Sequence, residues 1–304
     1  MFSLAQVADP HVSPLPRPTP LELCNKRVLG YLSWTLRRKH LHRKEVLTAL
    51  TTDLVAAAPD HVAVVGDLTN ISLPAEFPPA LEWLQGLGDP DRVSVVPGNH
   101  DAYVALPWSG TIALWRRYMR GDDAPADHAP SGEDDHPWVR VRGPVAVLGV
   151  STAVPTLPFF ATGRAGESQL ARLEPLLREH GRAGRYRVVL IHHPPIDALT
   201  KWRKRLTDSD RFAEVIARAG AELILHGHTH EATVASMAGP DGPVPVVGVT
   251  SASSNGGEEE ELRARYNIFR IERSNGTWRV DLEIRGLQAD GSIGAIDRMP
   301  LTVG

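Results

Sequence analysis

Stacked β-sheets covered by helices, one layered α/β domain over residues 1–304, are what this chain predicts. Three features point there. Hydrophobic residues make up 42% of the chain, enough to fill a sizeable core. Short β-branched runs alternate with segments of helical periodicity through the first two thirds. The last third returns to strand-like runs with few helices between them, so a β-rich part completes the sheets.

The opening run Phe2–Val7 reads as a short buried strand with no basic segment before it and no long apolar stretch, so no signal peptide is expected. Pro14, Pro16, Pro18 and Pro20 then make a stiff extended loop. Lys26 to Lys44 carries seven Lys and Arg and no acid, interleaved with Tyr31, Leu32, Trp34, Leu36 and Leu41; if helical, it is a basic amphipathic segment inserted at about 12–44. Glu45–Ala57 sets Val46, Leu47, Leu50 and Leu54 on one helical face. Strands follow at His61–Val65, Arg92–Val96 and Val145–Val150, the last two separated by an acidic surface loop at 121–137 that holds His128 and His136. A helix over Gln169–Glu179 groups Leu170, Leu173, Leu176 and Leu177, with Gly181 as its stop. After the strand Arg187–Ile191, a helix over Asp210–Ala219 groups Phe212, Val215 and Ile216 before Gly220, and Ala221–Leu225 is again a strand. Strands are expected at Ala232–Met237, Val244–Val249, Tyr266–Ile271 and Trp278–Ile284, the last two joined by a hairpin turn at Ser274-Asn275-Gly276.

Composition excludes some chemistries. Cys24 is the single cysteine, so a disulfide framework and a multi-thiolate zinc cluster are both impossible, and any metal must be held by His and carboxylates. No run approaches the roughly 18 apolar residues of a spanning helix, which makes a cytoplasmic location the expectation. A net charge of −3 gives no global reason to expect a stable nucleic-acid complex.

The chemistry lies at the strand ends. Phe2–Val7 runs into Asp9-Pro10-His11, His61–Val65 into Gly66-Asp67, and Arg92–Val96 into Gly98-Asn99-His100-Asp101. Arg187–Ile191 runs into His192-His193-Pro194-Pro195, and Ala221–Leu225 into Gly227-His228-Thr229-His230. Ligands of α/β folds bind at the carboxyl edge of the strands, and the glycines let the chain turn so that side chains converge there. Carboxylate, imidazole and an Asn carbonyl suit two close divalent or trivalent ions such as Mn, Fe or Zn. Two ions about 3.5–4 Å apart activate water and clamp a phosphoryl group.

This ordered set resembles the calcineurin-like metallophosphoesterase superfamily, whose motifs read D-x-H, G-D, G-N-H-[DE], H-x-P and G-H-x-H. The resemblance covers Asp9 to His230 and implies a four-layer α/β/β/α sandwich with two central mixed sheets. It implies Asp9, His11 and His230 as ligands of a first metal ion, Asn99, His192 and His228 as ligands of a second, and Asp67 as the bridge. His100 matches the family's non-ligand histidine at the phosphate, Asp101 would orient it, and His193 falls outside the H-x-P ligand position. Asn70 stands where purple acid phosphatases carry Tyr, and Gly66-Asp67-Leu68-Thr69-Asn70 departs from the protein Ser/Thr phosphatases; lipid A pathway pyrophosphatases carry Arg where His100 stands. What is left resembles the bacterial phosphodiesterase branch, with class III cyclic-nucleotide and glycerophosphodiester enzymes.

Substrate choice is expected in two cationic clusters, Lys26–Lys44 and Lys201-Trp202-Arg203-Lys204-Arg205. Read as surface, they solvate a helix and a loop; read as function, Arg37, Arg38, Lys201 and Arg203 steer an anionic substrate, while Trp34 and Trp202 stack on a base or acyl group and His193 lies nearby. The expected activity is a dinuclear metal-dependent phosphodiesterase acting on a small anionic phosphodiester through a metal-bridging hydroxide. The rivals are a phospholipid or lipid-linked pyrophosphate hydrolase peripheral to the inner membrane face, a DNA nuclease and a non-catalytic scaffold; homo-oligomerisation is open.

Overall fold

The computed structural model describes residues 1–124 and 135–301; the middle of the acidic loop, His128 included, lies outside them. The first of two sheets contains β1 (Phe2–Val7), β2 (His61–Val65), β3 (Val93–Val96), β10 (Arg265–Ser274), β11 (Thr277–Leu287) and β12 (Ile293–Pro300), in the order β12-β11-β10-β1-β2-β3. The second contains β4 (Trp138–Arg142), β5 (Val145–Val150), β6 (Tyr186–Ile191), β7 (Leu223–His226), β8 (Thr233–Ala238) and β9 (Pro243–Gly248), in the order β4-β5-β6-β7-β9-β8. Both are mixed: β1, β2 and β3 run parallel, as do β5, β6, β7 and β9; β10, β11 and β12 add antiparallel on one side of the first sheet, and β4 and β8 are the antiparallel edges of the second.

Period-two alternation decides the layering. Val145, Val147, Val188, Leu190, Leu223 and Leu225 face the first sheet in one shared core, whereas Ala146, Leu148, Val189, Ile191 and Ile224 face away. That outer face is covered by α6 (Glu167–Arg182) and α7 (Ser209–Ala219), through Leu170, Leu173, Leu177, Phe212, Val215 and Ile216. The first sheet is covered by α3 (Lys44–Ala56) and α4 (Phe77–Leu87), which bury Leu47, Leu50, Leu54, Phe77, Ala80 and Leu84. Each fully buried Leu of these helices contributes about 2 kcal/mol. The result is the four-layer α/β/β/α sandwich. One polar residue crosses the shared core: Gln6 of β1 donates to the carbonyls of His226 and Val247 and accepts from Asn267. Its polar atoms are thereby satisfied, which removes the cost of burying them.

Several elements depart from expectation for identifiable reasons. Helix α4 has no counterpart among the expected elements and begins Phe77-Pro78-Pro79; in a first turn the missing proline N–H groups have no intrahelical partner to lose. Helix α6 runs through Pro175 and past Gly181 to Arg182. Gly181 is a packing requirement there, because a Cβ would stand 2.5 Å from the Arg187 guanidinium. Strands β4 and β12 went unread because they are short or largely exposed edge strands. The hairpin turn is as expected, with Asn275 at φ 50° and Gly276 at φ 82° between paired Ser274 and Thr277.

Between β1 and β2 the basic segment is helical up to Leu41, and His42 and Arg43 are extended. Helix α1 (Arg27–Ser33), a π-helical turn (Trp34–Arg38) and α2 (Lys39–Leu41) follow one another. Arg27, Gly30 and Trp34 are buried, and Val28, Leu32 and Leu36 are exposed on the opposite face. A Cβ at Gly30 would stand 2.5 Å from Ile71, so the rod seats where a larger residue could not. Parallel strands bring their carboxyl ends to one edge. With two sheets face to face, the loops after β1, β2 and β3 meet those after β6, β7 and β9.

Candidate metal centre

All seven expected ligands sit in those loops, and the backbone shows how they are aimed. Nine described non-glycine residues have positive φ, and five of them are Asp9 (50°), His11 (39°), Asp67 (56°), His228 (71°) and His230 (59°). Left-handed backbone costs a non-glycine residue energy and persists only where the surroundings enforce it. The motif glycines have a further reason. A Cβ on Gly66 would overlap the His192 ring, one on Gly98 would overlap the Asp67 carboxylate, and one on Gly227 would stand 2.6 Å from Asp9 Oδ2. Close approach, as much as turning, demands glycine here.

Hydrogen bonds to carbonyls, which only accept, assign the imidazole protons. His11 Nδ1–H donates to the Thr69 carbonyl (2.9 Å) and His192 Nδ1–H to Val65 (2.7 Å), which turns Nε2 of each toward the centre. His228 Nε2–H donates to the Lys204 carbonyl (2.9 Å), leaving Nδ1. Potential ligand atoms then face one another. His192 Nε2 stands 3.2 Å from Asn99 Oδ1 and 3.3 Å from Asp67 Oδ2. His230 Nε2 stands 3.4 Å from both Asp9 Oδ1 and His11 Nε2. Donors about 2.1 Å from one ion are separated by about 3.0 Å in an octahedron and about 3.4 Å in a tetrahedron, so these spacings fit coordination. Asp67 is common to the Asp9–Asp67–His192 and His11–Asp67–His100 groups, the position of a bridge.

Electrostatics agree that the centre requires positive charge. Burial would push the His192 pKa down, but the Asp67 carboxylate beside it prevails and raises it to about 9. Burial would raise Asp67, yet the facing His192 holds it well below the usual carboxylate range. A metal ion would take the place of such a proton. The donor set, all imidazole nitrogen and oxygen, fits the Mn, Fe or Zn expected.

Around this centre the expected residues separate. The His100 ring edge lies in the site: its Nδ1 donates to the Asn70 carbonyl, its backbone N–H to Asp67 Oδ1 (2.7 Å), and Tyr103 stacks on it at 5.5 Å between centroids. Burial and then the Arg38 charge lower its pKa to about 3. Asp101 lies one layer back. Its carboxylate accepts the N–H groups of Gly98 (2.9 Å) and Thr69 (2.8 Å), tying the loops after β2 and β3, and the Asn70 carbonyl takes the orienting place expected of Asp101. Burial, then the nearby Asp67 charge, raises the Asp101 pKa to about 7.

Of the expected substrate residues, Arg38 alone reaches the lone pairs. Its Nη2 is 3.0 Å from His11 Nε2, and its Nη1 is 3.3 Å from His100 Nδ1, whose proton is already committed to Asn70. Trp34 is buried, parallel to His42, and offers no open face for stacking. His193 is fully buried behind His228, its ring nitrogens engaged by Thr152 Oγ1 (2.7 Å) and the Ala161 carbonyl (3.3 Å). Arg37, Lys201, Trp202 and Arg203 are exposed, with Trp202 edge-on to Phe160 and beneath Arg205.

Sequence reasoning missed His42, Asn70, Tyr103, Ser251 and Ser253. The two serines follow β9, so the strand-end rule applied once more would have found them. His42 leaves no such signal, because its place depends on how the inserted rod folds back.

Against this geometry, comparison with known proteins identifies the class. Residues 2–232 match the calcineurin-like phosphoesterase family, and the chain belongs to that family. It is 28% identical over 204 residues to a "Probable cyclic nucleotide phosphodiesterase" of Rhodococcus erythropolis, covering 64% of this chain and 59% of that protein. It is 26% identical over 234 residues to another protein so described from Synechococcus, covering 76% of this chain and 79% of that one. A dimetal phosphatase from Danio rerio superposes over 100% of this chain and 99% of its own with a TM-score of 0.65 at 11% identity, a likeness of fold.

Proposed function

We propose that this chain is a dinuclear metal-dependent phosphodiesterase acting on a small anionic phosphodiester of the cyclic-nucleotide or glycerophosphodiester class. The observation that carries it is the convergence of side-chain donor atoms of Asp9, His11, Asp67, Asn99, His192 and His230 at coordination spacing. The descriptions of the two relatives favour the cyclic-nucleotide class. Asp9, His11, Asp67 and His230 would hold one ion, and Asp67, Asn99, His192 and His228 Nδ1 the other. Two such ions, when bound, supply Lewis-acid polarisation and water activation at neutral pH.

The chain's own groups do the rest. Arg38 cannot share the His11 lone pair with an ion, so its guanidinium turns to the nearest incoming anion, the phosphoryl oxygens. Lys204, whose ammonium lies within electrostatic reach of Asp67, Asp9 and Arg38, adds positive charge from the opposite loop. His100 is neutral in the free protein, and a bound phosphate anion raises its pKa, so Nε2 takes up a proton with the substrate and returns it to the leaving oxygen. Asn70, held through the loop that Glu76 caps at Asn70, Ile71 and Leu73, keeps that ring aimed.

The test is a parallel turnover screen of the Mn-loaded protein against cyclic nucleotides, glycerophosphodiesters, phosphomonoesters and nucleotide-lipid pyrophosphates. Turnover of a diester that is abolished by Asp67→Ala supports the proposal, and metal-independent turnover refutes it.

One observation favours a second reading, a phospholipid or lipid-linked pyrophosphate substrate. Val28, Leu32 and Leu36 stand exposed one turn apart, beside exposed Arg37 and Lys39. An apolar stripe flanked by cations suits an anionic membrane surface. Co-sedimentation with phosphatidylglycerol vesicles, lost in Leu32→Ser/Leu36→Ser, tests it.

A further inference from the structure

His42 belongs to none of the strand-end motifs. It caps α2 at the end of the inserted rod and is bridged to Ser254 through the backbone, which brings its buried ring beside His11 and His230. Its proton can be assigned from a chain of hydroxyls. The Ser251 hydroxyl donates to the Asp9 carbonyl (2.6 Å), which fixes the direction from that end. Ser251 Oγ is therefore an acceptor toward Ser253 Oγ (3.3 Å), and Ser253 Oγ in turn accepts from His42 Nδ1 (2.9 Å). The second contact of Nδ1, to Ser251 Oγ at 3.3 Å, has the same polarity. The Nδ1 of His42 carries the proton, and Nε2 is left as a bare lone pair.

The three imidazoles of His11, His42 and His230 surround one point. Their ring nitrogens lie within 4.8 Å of one another. Their centroids are 4.5 Å (His11–His42), 5.3 Å (His11–His230) and 5.5 Å (His42–His230) apart, with mutual tilts of 63°, 58° and 89°. An imidazole bound through nitrogen at about 2.1 Å has its centroid about 3.3 Å from the ion, so two such rings lie about 4.6 Å apart at a right angle and about 5.4 Å apart at the tetrahedral angle. The observed triangle has those dimensions. Packing alone gives no reason for a third imidazole, protonated on its far nitrogen, to present a lone pair there.

We propose that His42 is a third imidazole ligand of the first metal ion, beside His11 and His230. The assignment rests on the dinuclear reading above. It ties the inserted rod to the metal centre, so the segment that carries Arg38 is held over the substrate side by coordination as well as by packing. The serine chain from His42 to the Asp9 carbonyl then acts as the outer layer that sets tautomer and orientation.

The test uses the full chain, freed of metal by chelation and titrated with Co²⁺, read by bound-metal analysis and by paramagnetic proton NMR. A histidine bound to Co²⁺ through one nitrogen shows a shifted, exchangeable ring N–H from the other. The wild type is expected to bind two ions and to show such signals for His11, His42, His192, His228 and His230. In His42→Gln one signal disappears and one of the two ions binds at least tenfold more weakly, while in Ser253→Ala the same signal shifts or exchanges faster. The signal count is read on the wild type, so it holds even if a variant fails to fold. Two ions with unchanged affinity in His42→Gln, or a wild-type spectrum without the additional ring signal, overturns the assignment of His42 alone. A wild type that binds fewer than two ions overturns the dinuclear reading and this assignment with it.

Discussion

Replacing Arg38 by Ala removes the one guanidinium that, among the described residues, reaches the candidate metal centre, 3.0 Å from His11 Nε2. A unit charge about 4 Å from a phosphoryl oxygen is worth about 4 kcal/mol at an effective dielectric of 20, before desolvation is counted. Hydrogen bonds to charged groups retain about 1.5–3 kcal/mol after that cost, which is about a 10- to 150-fold loss of kcat/KM. The assay is steady-state hydrolysis of bis(p-nitrophenyl) phosphate and of a cyclic nucleotide at matched Mn content. Arg38→Lys keeps the charge and loses the planar fork, so it should fall between wild type and Arg38→Ala. Because the guanidinium occupies a lone pair that an ion requires, Arg38→Ala should bind the first ion as tightly as wild type or more tightly. A kcat/KM within twofold of wild type at equal metal content would refute the substrate role, and loss of metal would show that Arg38 supports the centre instead.

Other expectations follow from the same geometry. His100→Ala should keep both ions, measured by metal analysis, and lose about 10²- to 10⁴-fold in kcat, the usual range for a positioned acid–base group. Gly98→Ala forces a Cβ into the Asp67 carboxylate, so metal affinity should fall at least tenfold while cooperative unfolding persists; equal affinity would mean that the two loops shift freely. Chelation should lower thermal stability, by about 2.7 kcal/mol where the free ion stood at 100 times its Kd. Acid should destabilise the fold through His61, which is buried between β2 and β3, donates or accepts at Ser94 Oγ (2.8 Å), and has its pKa lowered to about 3 by burial and then by Arg140. The unfolded chain takes up that proton as pH falls below about 6.5 and the folded one does not, so stability present above pH 6.5 is lost toward pH 3. At pH 4.5 the loss is about 3 kcal/mol, measurable by urea unfolding, and His61→Val should flatten it.

The elements that were legible from the residues are those governed by local physics. Short apolar runs in β1, β2 and β5 and the Leu face of α3 are short-range patterns that burial then uses. The same holds for the residues proposed as metal ligands. Parallel strands must bring Asp9, Asp67, Asn99, His192 and His228 to one edge wherever the helices between them run, so chain order alone assembles the centre. The glycines beside them were legible as turns, but that Gly98 and Gly227 are glycine for want of space could be known only once Asp67 and Asp9 lay against them.

What tertiary structure alone decided lies in the insert and in the outer layer. Whether Arg37 or Arg38 reaches the site depends on the register of one π-helical turn, in which adjacent residues point in different directions. Trp34 became a buried support rather than a stacking face for the same reason. The pairing of His100 with Asn70 rather than Asp101 arises because Asp101 is satisfied by backbone N–H groups of two loops that converge only in the fold. His42, 31 residues past His11 in sequence, is brought beside it by contacts with Ser251 and Ser253 more than 200 residues away. Local sequence specifies elements and the strand edge where they end; contacts between distant segments have no local signature, and they decide which side chains finish the site.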